Sequence, residues 1–207
     1  AQCNAKLLVF SNPCNPTAVT MGREDILKIV GAVDAMVVVD EAYMEFSEGS
    51  VLDEIENYEN LIVLKTCSKA FGMAAIRLGF AAANARITNI LKTLKAPYNV
   101  NSMTQAVGCV ILGHREYLEK CTAQIKESTQ ELYQSMAALA EKKKDIQKLY
   151  PTETNFLYIK TEHSGEIFEA LKKEGISIRN MNGYLRISAG SKAENQELIQ
   201  ALDKLLQ

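Results

Sequence analysis

Neither sign of charge predominates in this sequence. Its 23 Lys and Arg stand against 25 Asp and Glu, giving a formal net charge of −2 and an isoelectric point near 5.8. Neutralising a phosphate backbone takes a basic excess or stripe, so the usual ground for nucleic acid as a partner is missing. No uninterrupted apolar run approaches the roughly 18 residues a membrane-spanning helix requires. No Cys-x-x-Cys pair occurs: Cys3, Cys14, Cys67, Cys109 and Cys121 are odd in number and widely scattered. That argues against a disulfide framework or zinc ribbon and favours a reducing, cytoplasmic compartment. His114 and His163 stand far apart in no metal-ligand spacing, so their ordinary reading is a surface or helix end, and no metal is expected. No Gly-x-Gly-x-x-Gly follows a strand pattern and no Gly-Lys-Ser/Thr loop occurs, which sets nicotinamide and P-loop nucleotide binding aside. The opening Ala1-Gln2-Cys3-Asn4-Ala5-Lys6 has no initiator Met and no signal-peptide pattern, as expected of a piece of a longer chain.

What is present is 207 residues, 47% hydrophobic and 23% charged, enough for one large domain or two small ones. The first two-fifths alternates apolar runs with helical stretches, the pattern of βαβ units and a parallel sheet. Lys6–Phe10 reads as a strand closed by the turn-forming Ser11-Asn12-Pro13-Cys14-Asn15-Pro16. Arg23–Ala32 spaces Ile26, Leu27, Ile29 and Val30 as one helix face. Met36–Val39 is a continuous apolar run, expected of a strand buried on both faces, and it stops at Asp40-Glu41. Leu61–Leu64 repeats the pattern before Lys65-Thr66-Cys67-Ser68-Lys69, and Leu78–Ala83 is a further short strand. Helices follow over Asn84–Lys95, from Ser102 (with Ser102-x-x-Gln105 in capping-box form), and from about His114 to Lys144. Pro151 marks a break, after which Asn155–Lys160, Ile176–Asn180 and Tyr184–Ala189 read as strands and Ser164–Glu174 as a helix. Ser191-x-x-Glu194 is a second capping box, opening a terminal helix through Leu205. The expected fold class is α/β: a partial, mainly parallel sheet with flanking helices over residues 1–112, a long connecting helix over 113–144, and a small α/β domain over 145–207.

Open parallel sheets bind ligands beyond the carboxyl ends of their strands. Three successive strands here lead to Asn15, Asp40 and Lys69. An amine, an acid and an amide at such ends are the set a pyridoxal phosphate site needs, since the amine forms a Schiff base and the acid keeps the pyridine nitrogen protonated. At about 3 Å and an effective dielectric of about 20, that ion pair is worth roughly 5 kcal/mol. Taken singly, each residue has a plainer reading: Asp40 as a turn cap, Lys69 as surface decoration, Asn15-Pro16 as a turn, Arg77 as a surface ion pair. Order and strand context together carry the argument.

In combination, Ser11-Asn12-Pro13-Cys14-Asn15-Pro16-Thr17, Val39-Asp40-Glu41-Ala42-Tyr43, Thr66-Cys67-Ser68-Lys69-Ala70-Phe71-Gly72 and Arg77-Leu78-Gly79 resemble the class I/II, fold-type I aminotransferases. The likeness is nearest the histidinol-phosphate aminotransferase branch, with Pro97-Tyr98-Asn99-Val100-Asn101 and Gly175-Ile176-x-Ile178-Arg179…Tyr184-Leu185-Arg186-Ile187-Ser188 adding to it. The resemblance spans essentially the whole chain. It implies a fold-type I transferase with pyridoxal 5′-phosphate, in which Lys69 is the Schiff-base lysine and proton carrier and Asp40 pairs with the pyridine nitrogen. Asn15 and Tyr43 would hydrogen-bond the ring's phenolic oxygen, and Thr66, Ser68 and Arg77 would bind the cofactor phosphate. Arg186, helped by Arg179 and Asn15, would grip the anionic end of the substrate, a task suited to an arginine fork. Implied with these are a homodimer and ping-pong transfer between histidinol phosphate and the glutamate/2-oxoglutarate pair. Threonine-phosphate decarboxylases and other class I/II aminotransferases share nearly all the motifs, and a non-catalytic fragment is the reading from another class.

Three departures from the family pattern stand out. Ala18 replaces the Gly that normally ends the Asn-Pro-Thr turn, so the backbone there is expected to avoid a positive φ. Only six residues separate Arg179 from Arg186, which clouds the placement of Arg179. The family's amino-terminal half, with its remaining strands, ring-stacking aromatic and substrate arm, is not in this chain. The isolated chain is therefore expected to bind the cofactor weakly or not at all, and its cut sheet to present an edge.

Overall fold

The computed structural model describes residues 4–206. By chain contact it divides into two units, one of residues 1–14 and 20–122, the other of residues 15–19 and 123–207.

In the first unit β1 (Leu7–Ser11), β2 (Met36–Asp40) and β3 (Leu61–Thr66) pair in parallel, and β4 (Gly79–Ala83) joins β3 antiparallel, in the order β1-β2-β3-β4. The sheet is apolar on both faces because helices lie on both. Leu8, Phe10, Val37, Val39, Leu61 and Val63 meet Ile26 and Val30 of α1 (Arg23–Ala32), while Met36, Val38, Ile62, Leu64 and Ala83 meet Ile87 of α2 (Ala85–Leu94). Doubly covered strands need no polar alternation, which is why Met36–Val39 reads as an unbroken run. The direction of β4 was not legible. No helix carries the chain from β3 back to the sheet's opposite end, and a parallel return needs such a crossover. Instead Cys67 N–H donates to Leu78 C=O at 3.0 Å, and the chain turns back through a 3₁₀ turn at Ala74–Ile76.

α3 (Ser102–Leu112) starts where expected, but its cap differs from the expectation. Asn101 is the N-cap, its side chain accepting from Thr104 N–H at 2.9 Å, while the Gln105 side chain donates to Val100 C=O. Ser102 is thus the first helical residue and not a cap. α4 (Arg115–Ala140) ends four residues short of Lys144. Lys143 leaves the helical path to place its ammonium 2.7 Å from Asp203 C=O, 3.1 Å from Leu206 C=O and 3.2 Å from the Asp203 carboxylate. A cation there satisfies the orphan carbonyls at a helix C-terminus.

The second unit holds an antiparallel sheet in the order β5-β6-β8-β7: β5 (Lys148–Leu149), β6 (Phe156–Lys160), β7 (Arg179–Asn180) and β8 (Tyr184–Ser188). Leu157, Ile159, Leu185 and Ile187 point to one face. There they join Leu132, Met136 and Leu139 of α4, Ile167 and Leu171 of α5 (Ser164–Lys173), and Leu198 and Leu202 of α6 (Lys192–Leu205) in one core. β7 is shorter than the expected Ile176–Asn180, because Ile176 is used to end α5. Gly175 takes φ +82°, and Ile176 N–H bonds Leu171 C=O at 2.9 Å. That is the Schellman closure a left-handed glycine permits.

The Ser191 box is present in full, its hydroxyl accepting from Glu194 N–H while the Glu194 carboxylate accepts from Ser191 N–H at 2.6 Å. These hydrogen bonds hold the Glu194 carboxyl below the usual glutamate range. Ser191→Ala should lower stability by about 1 kcal/mol at neutral pH, measured by urea denaturation. A lowered carboxyl pKa stabilises above the unfolded value and loses that contribution as pH falls through the folded one. The gap between wild type and variant should therefore narrow in acid below the ordinary glutamate range, and a gap that widens there would contradict the assignment.

Candidate active site

The first unit gathers one set of chemistry-bearing residues at the carboxyl ends of β2 and β3. Asp40 is the last residue of β2, and its Oδ1 accepts from Ala42 N–H at 3.0 Å, folding the chain into the turn that carries Tyr43. Tyr43 is buried at 5% exposure and leads into a 3₁₀ turn at Met44–Phe46. From β3 the chain continues through Thr66, whose Oγ1 accepts from Ser68 N–H at 3.1 Å. Lys69 then opens a tight turn, its C=O accepting from Gly72 N–H at 3.0 Å. Lys69 is exposed, and its Nζ lies 5.5 Å from the centroid of the Tyr43 ring. Among the described residues its ammonium makes no ion pair. Arg77 is exposed at φ +54°, spends one Nη1 bond on Ala74 C=O at 3.1 Å, and precedes the Leu78 carbonyl that bonds Cys67 N–H. The structure thus brings Asp40, Tyr43, Thr66, Ser68, Lys69 and Arg77 to adjoining chain ends.

Ser11-Asn12 is held beside this group. Asn12, 2% exposed, donates its backbone N–H to Asp40 C=O at 2.9 Å, and its side chain brackets the Met21 amide, accepting from N–H at 2.7 Å and donating to C=O at 3.2 Å.

Sequence reading did not single out three charged residues next to this set. Glu41 is fully buried, and its carboxylate accepts from Ser50 Oγ at 2.6 Å, Val51 N–H at 2.8 Å and the Lys65 ammonium at 3.0 Å. Lys65 also reaches Glu45 at 3.1 Å. A signal existed: an acid and a base each stand one residue past the paired positions Asp40 and Leu64, at the ends of otherwise apolar strands. Cys67 is buried beside them, and burial, with the Glu45 charge, pushes its thiol above the ordinary range. It stays a protonated thiol at neutral pH, so no competing nucleophile stands two residues from Lys69.

The second unit holds the other set. Arg186 on β8 donates Nη1–H to Asn15 Oδ1 at 2.7 Å, and its guanidinium carbon lies 5.0 Å from the Phe156 ring centroid. Its Nε is buried without a hydrogen-bond partner among the described residues. The short hairpin that clouded Arg179 in fact places it: Arg179 and Arg186 are direct cross-strand partners. Paired residues share a face with Cβ atoms about 5 Å apart, and like charges so placed repel. Neither is in an ion pair among the described residues, so the pair is left electrostatically open to an anion.

Ala18 overturns one expectation. It takes φ +64°, with no exposed surface, and its carbonyl accepts from Glu153 N–H at 3.0 Å. The turn keeps its left-handed shape without glycine, because burial and that bond hold a conformation costing an L-residue about 1–2 kcal/mol.

The residues fit pyridoxal phosphate by their chemistry. Lys69 is an uncommitted amine against an aromatic wall, Asp40 a half-buried acid, and Thr66, Ser68 and Arg77 bring hydroxyls and a guanidinium for a phosphate. The orphaned Arg186 Nε fits a substrate anion.

Comparison with known proteins bears on the family and the fold. Residues 1–202 match the family model described as aminotransferase class I and II. A histidinol-phosphate aminotransferase of Clostridium kluyveri is 44% identical over 206 residues, covering 97% of this chain and 57% of the relative. The chain therefore spans little more than half the length of the curated relatives it matches. Among solved structures, the histidinol-phosphate aminotransferase of Clostridium acetobutylicum superposes with a TM-score of 0.86 at 22% identity, over 97% of this chain and 64% of that one. The enzyme of Sinorhizobium meliloti, solved in complex with pyridoxal-5′-phosphate, gives 0.85 at 24% identity, over 97% and 57%. At such identities the likeness establishes the fold.

The Ala18 turn yields a stability test. Ala18→Gly relieves about 1–2 kcal/mol of strain but gives up a buried methyl worth about 0.8 and about 0.5–1 in chain entropy, so it should fall within about 1 kcal/mol of wild type. Ala18→Val forces a β-branched side chain into the left-handed region in a filled space, and should cost about 3 kcal/mol in denaturant titration. A neutral valine would mean the turn is not held as described.

Proposed function

The chain belongs to the class I and II aminotransferase family, and on that premise we propose that the whole protein containing it is a pyridoxal-phosphate-dependent aminotransferase exchanging an amino group between histidinol phosphate and the glutamate/2-oxoglutarate pair. The observation that carries this reading is the Lys69 ammonium, without an ion pair among the described residues and 5.5 Å from the ring centroid of buried Tyr43, on the strand end next to Asp40. The proposal includes a cytoplasmic homodimer, consistent with free Cys14, Cys67, Cys109 and Cys121 and with the absence, among the described residues, of any helix long and apolar enough to cross a membrane.

When bound, the cofactor supplies an electron sink for the pair released as a substrate Cα–H bond breaks. The chain's own residues would do the rest. Lys69 Nζ would hold the cofactor covalently and, once displaced by substrate, move the proton from Cα. Asp40 would hold a proton on the pyridine nitrogen; Tyr43 and Asn15 would bind the ring's phenolic oxygen; Thr66, Ser68 and Arg77 would bind its phosphate. Arg186 would take the carboxylate of glutamate in one half-reaction and the phosphate end of histidinol phosphate in the other, with Arg179 adding charge. Each such charge-assisted hydrogen bond is worth about 1.5–3 kcal/mol.

Two experiments on the full-length protein test the proposal. Borohydride reduction with pyridoxal phosphate should fix the cofactor on the peptide containing Lys69, and Lys69→Ala should yield no fixed cofactor by mass spectrometry; an adduct persisting on another lysine defeats the assignment. Arg186→Ala should raise KM for glutamate roughly a hundredfold, from two lost charge-assisted bonds of about 1.5 kcal/mol each. Carbon dioxide release from threonine phosphate without amino transfer would select the decarboxylase alternative instead.

A further inference from the structure

Asp40 and Glu41 are neighbours in sequence but belong to opposite faces of the sheet. Side chains alternate along a strand. Asp40 continues the row of Met36 and Val38, on the α2 side; Glu41 continues the row of Val37 and Val39, on the α1 side. Lys65 follows Leu61 and Val63 in that same α1-side row. Glu41 N–H bonds Leu64 C=O at 3.0 Å, so the β2–β3 ladder extends one step beyond its last paired residues and sets Glu41 beside Lys65. The ion pair thus lies behind the sheet from Asp40.

One ammonium there joins the ends of β2 and β3. Lys65 Nζ is 3.0 Å from fully buried Glu41, the residue after Asp40. It is 3.1 Å from Glu45, two residues after Tyr43 in the 3₁₀ turn that Tyr43 opens. Lys65 itself directly precedes Thr66, whose hydroxyl shapes the turn to Lys69. Glu41 is further fixed by Ser50 Oγ and Val51 N–H, so the anchor does not move with solvent. Two carboxylates share this single ammonium, and Glu45 keeps one buried oxygen without a partner among the described residues. The neighbouring Cys67 thiol is neutral and supplies no compensating charge. Withdrawing Lys65 therefore leaves two acids facing each other at the join between the segments that carry Asp40, Tyr43 and Lys69.

We propose that Lys65 is a positioning residue for the cofactor site, setting Asp40 and Tyr43 relative to Lys69 through Glu41 and Glu45 without touching cofactor or substrate. The inference rests on the proposed reading of Lys69, Asp40 and Tyr43 as cofactor ligands. A role in stability alone would lower the melting temperature and leave the folded site unchanged; a positioning role alters the site at temperatures where the protein is fully folded.

The test uses the full-length protein with Lys65→Met, Lys65→Arg and Glu45→Gln. For each variant it measures the melting temperature of the apoprotein, the dissociation constant for pyridoxal phosphate, the visible circular dichroism of the bound cofactor, and kcat and KM for glutamate. Lys65→Met should weaken cofactor binding about tenfold or more, reduce the dichroic band and lower kcat by about tenfold, with KM for glutamate within twofold. Lys65→Arg, which keeps the charge, should restore most of each. A Lys65→Met protein that melts earlier but binds cofactor with wild-type affinity and dichroism overturns the proposal. If Lys65→Met does not fold, Glu45→Gln decides: about threefold weaker cofactor binding with an altered band supports the role, and wild-type values overturn it. Failure of the wild-type protein to form a borohydride-fixed adduct at Lys69 sinks the cofactor reading itself, and is seen before any variant is made.

Discussion

The parallel pairing of β2 with β3 is the constraint on which the site depends. Parallel neighbours end side by side at the same edge, so the residues that follow them are brought together by topology alone. Asp40 and Leu64 are paired, and from that one register follow the Asp40 turn with Tyr43 on one strand and the Thr66–Lys69 turn on the other. A slip of one residue would exchange the faces of Asp40 and Glu41, turning Asp40 to the α1 side and taking Glu41 away from Lys65. The apolar rows on both faces hold the register, and the Glu41–Lys65 pair marks it chemically, since only one alignment sets these charges together. Removing one partner of a buried pair costs about 3–5 kcal/mol, whereas an apolar replacement of both is often neutral. The pair is therefore better explained by the alignment it specifies than by stability.

The fold also tolerates arrangements that a purely stable protein would avoid. Arg179 and Arg186 lie opposite each other in a hairpin without an ion-paired acid among the described residues, and Arg186 keeps a buried N–H unmatched. Aromatic rings offset part of this: Phe156 lies under the guanidinium, and Tyr158 and Tyr184 stack at 4.9 Å nearby. A cation over a ring face is worth about 0.5–2 kcal/mol, enough to hold the group in place but not to discharge it. An anion does that directly. Conflicts between local rules and the observed arrangement concentrate at functional sites.

Legibility followed the range of the interaction that decides each feature. α1 and the Ser191 box were readable because the apolar spacing of the one and the capping pair of the other lie within a few residues. β2 was readable because a strand covered on both faces shows an unbroken apolar run, here Met36–Val39. The direction of β4, the two-residue β5 and the shortening of β7 were not, since each depends on a partner strand or a helix cap that the segment itself does not encode. The motif residues could be named, but the network behind them could not: the Glu41–Lys65 contact exists only once a register is known. Ala18 failed for the opposite reason. The local rule that L-residues avoid positive φ is sound, and a distant hydrogen bond from Glu153 with complete burial overrode it.

The Asn15–Arg186 bond shows how a charged neighbour orients a small amide side chain. An arginine only donates, so the atom it meets must be the amide oxygen, and at 2.7 Å that contact fixes which way the amide faces. The Asn15 Nδ2–H₂ is then the end turned away from the guanidinium. An aspartate in its place would answer the arginine with a charge and bring no N–H of its own; an alanine would leave the arginine's N–H without this acceptor. The amide carries its acceptor and its donors on different atoms, and its neighbour Arg186 determines which end is which.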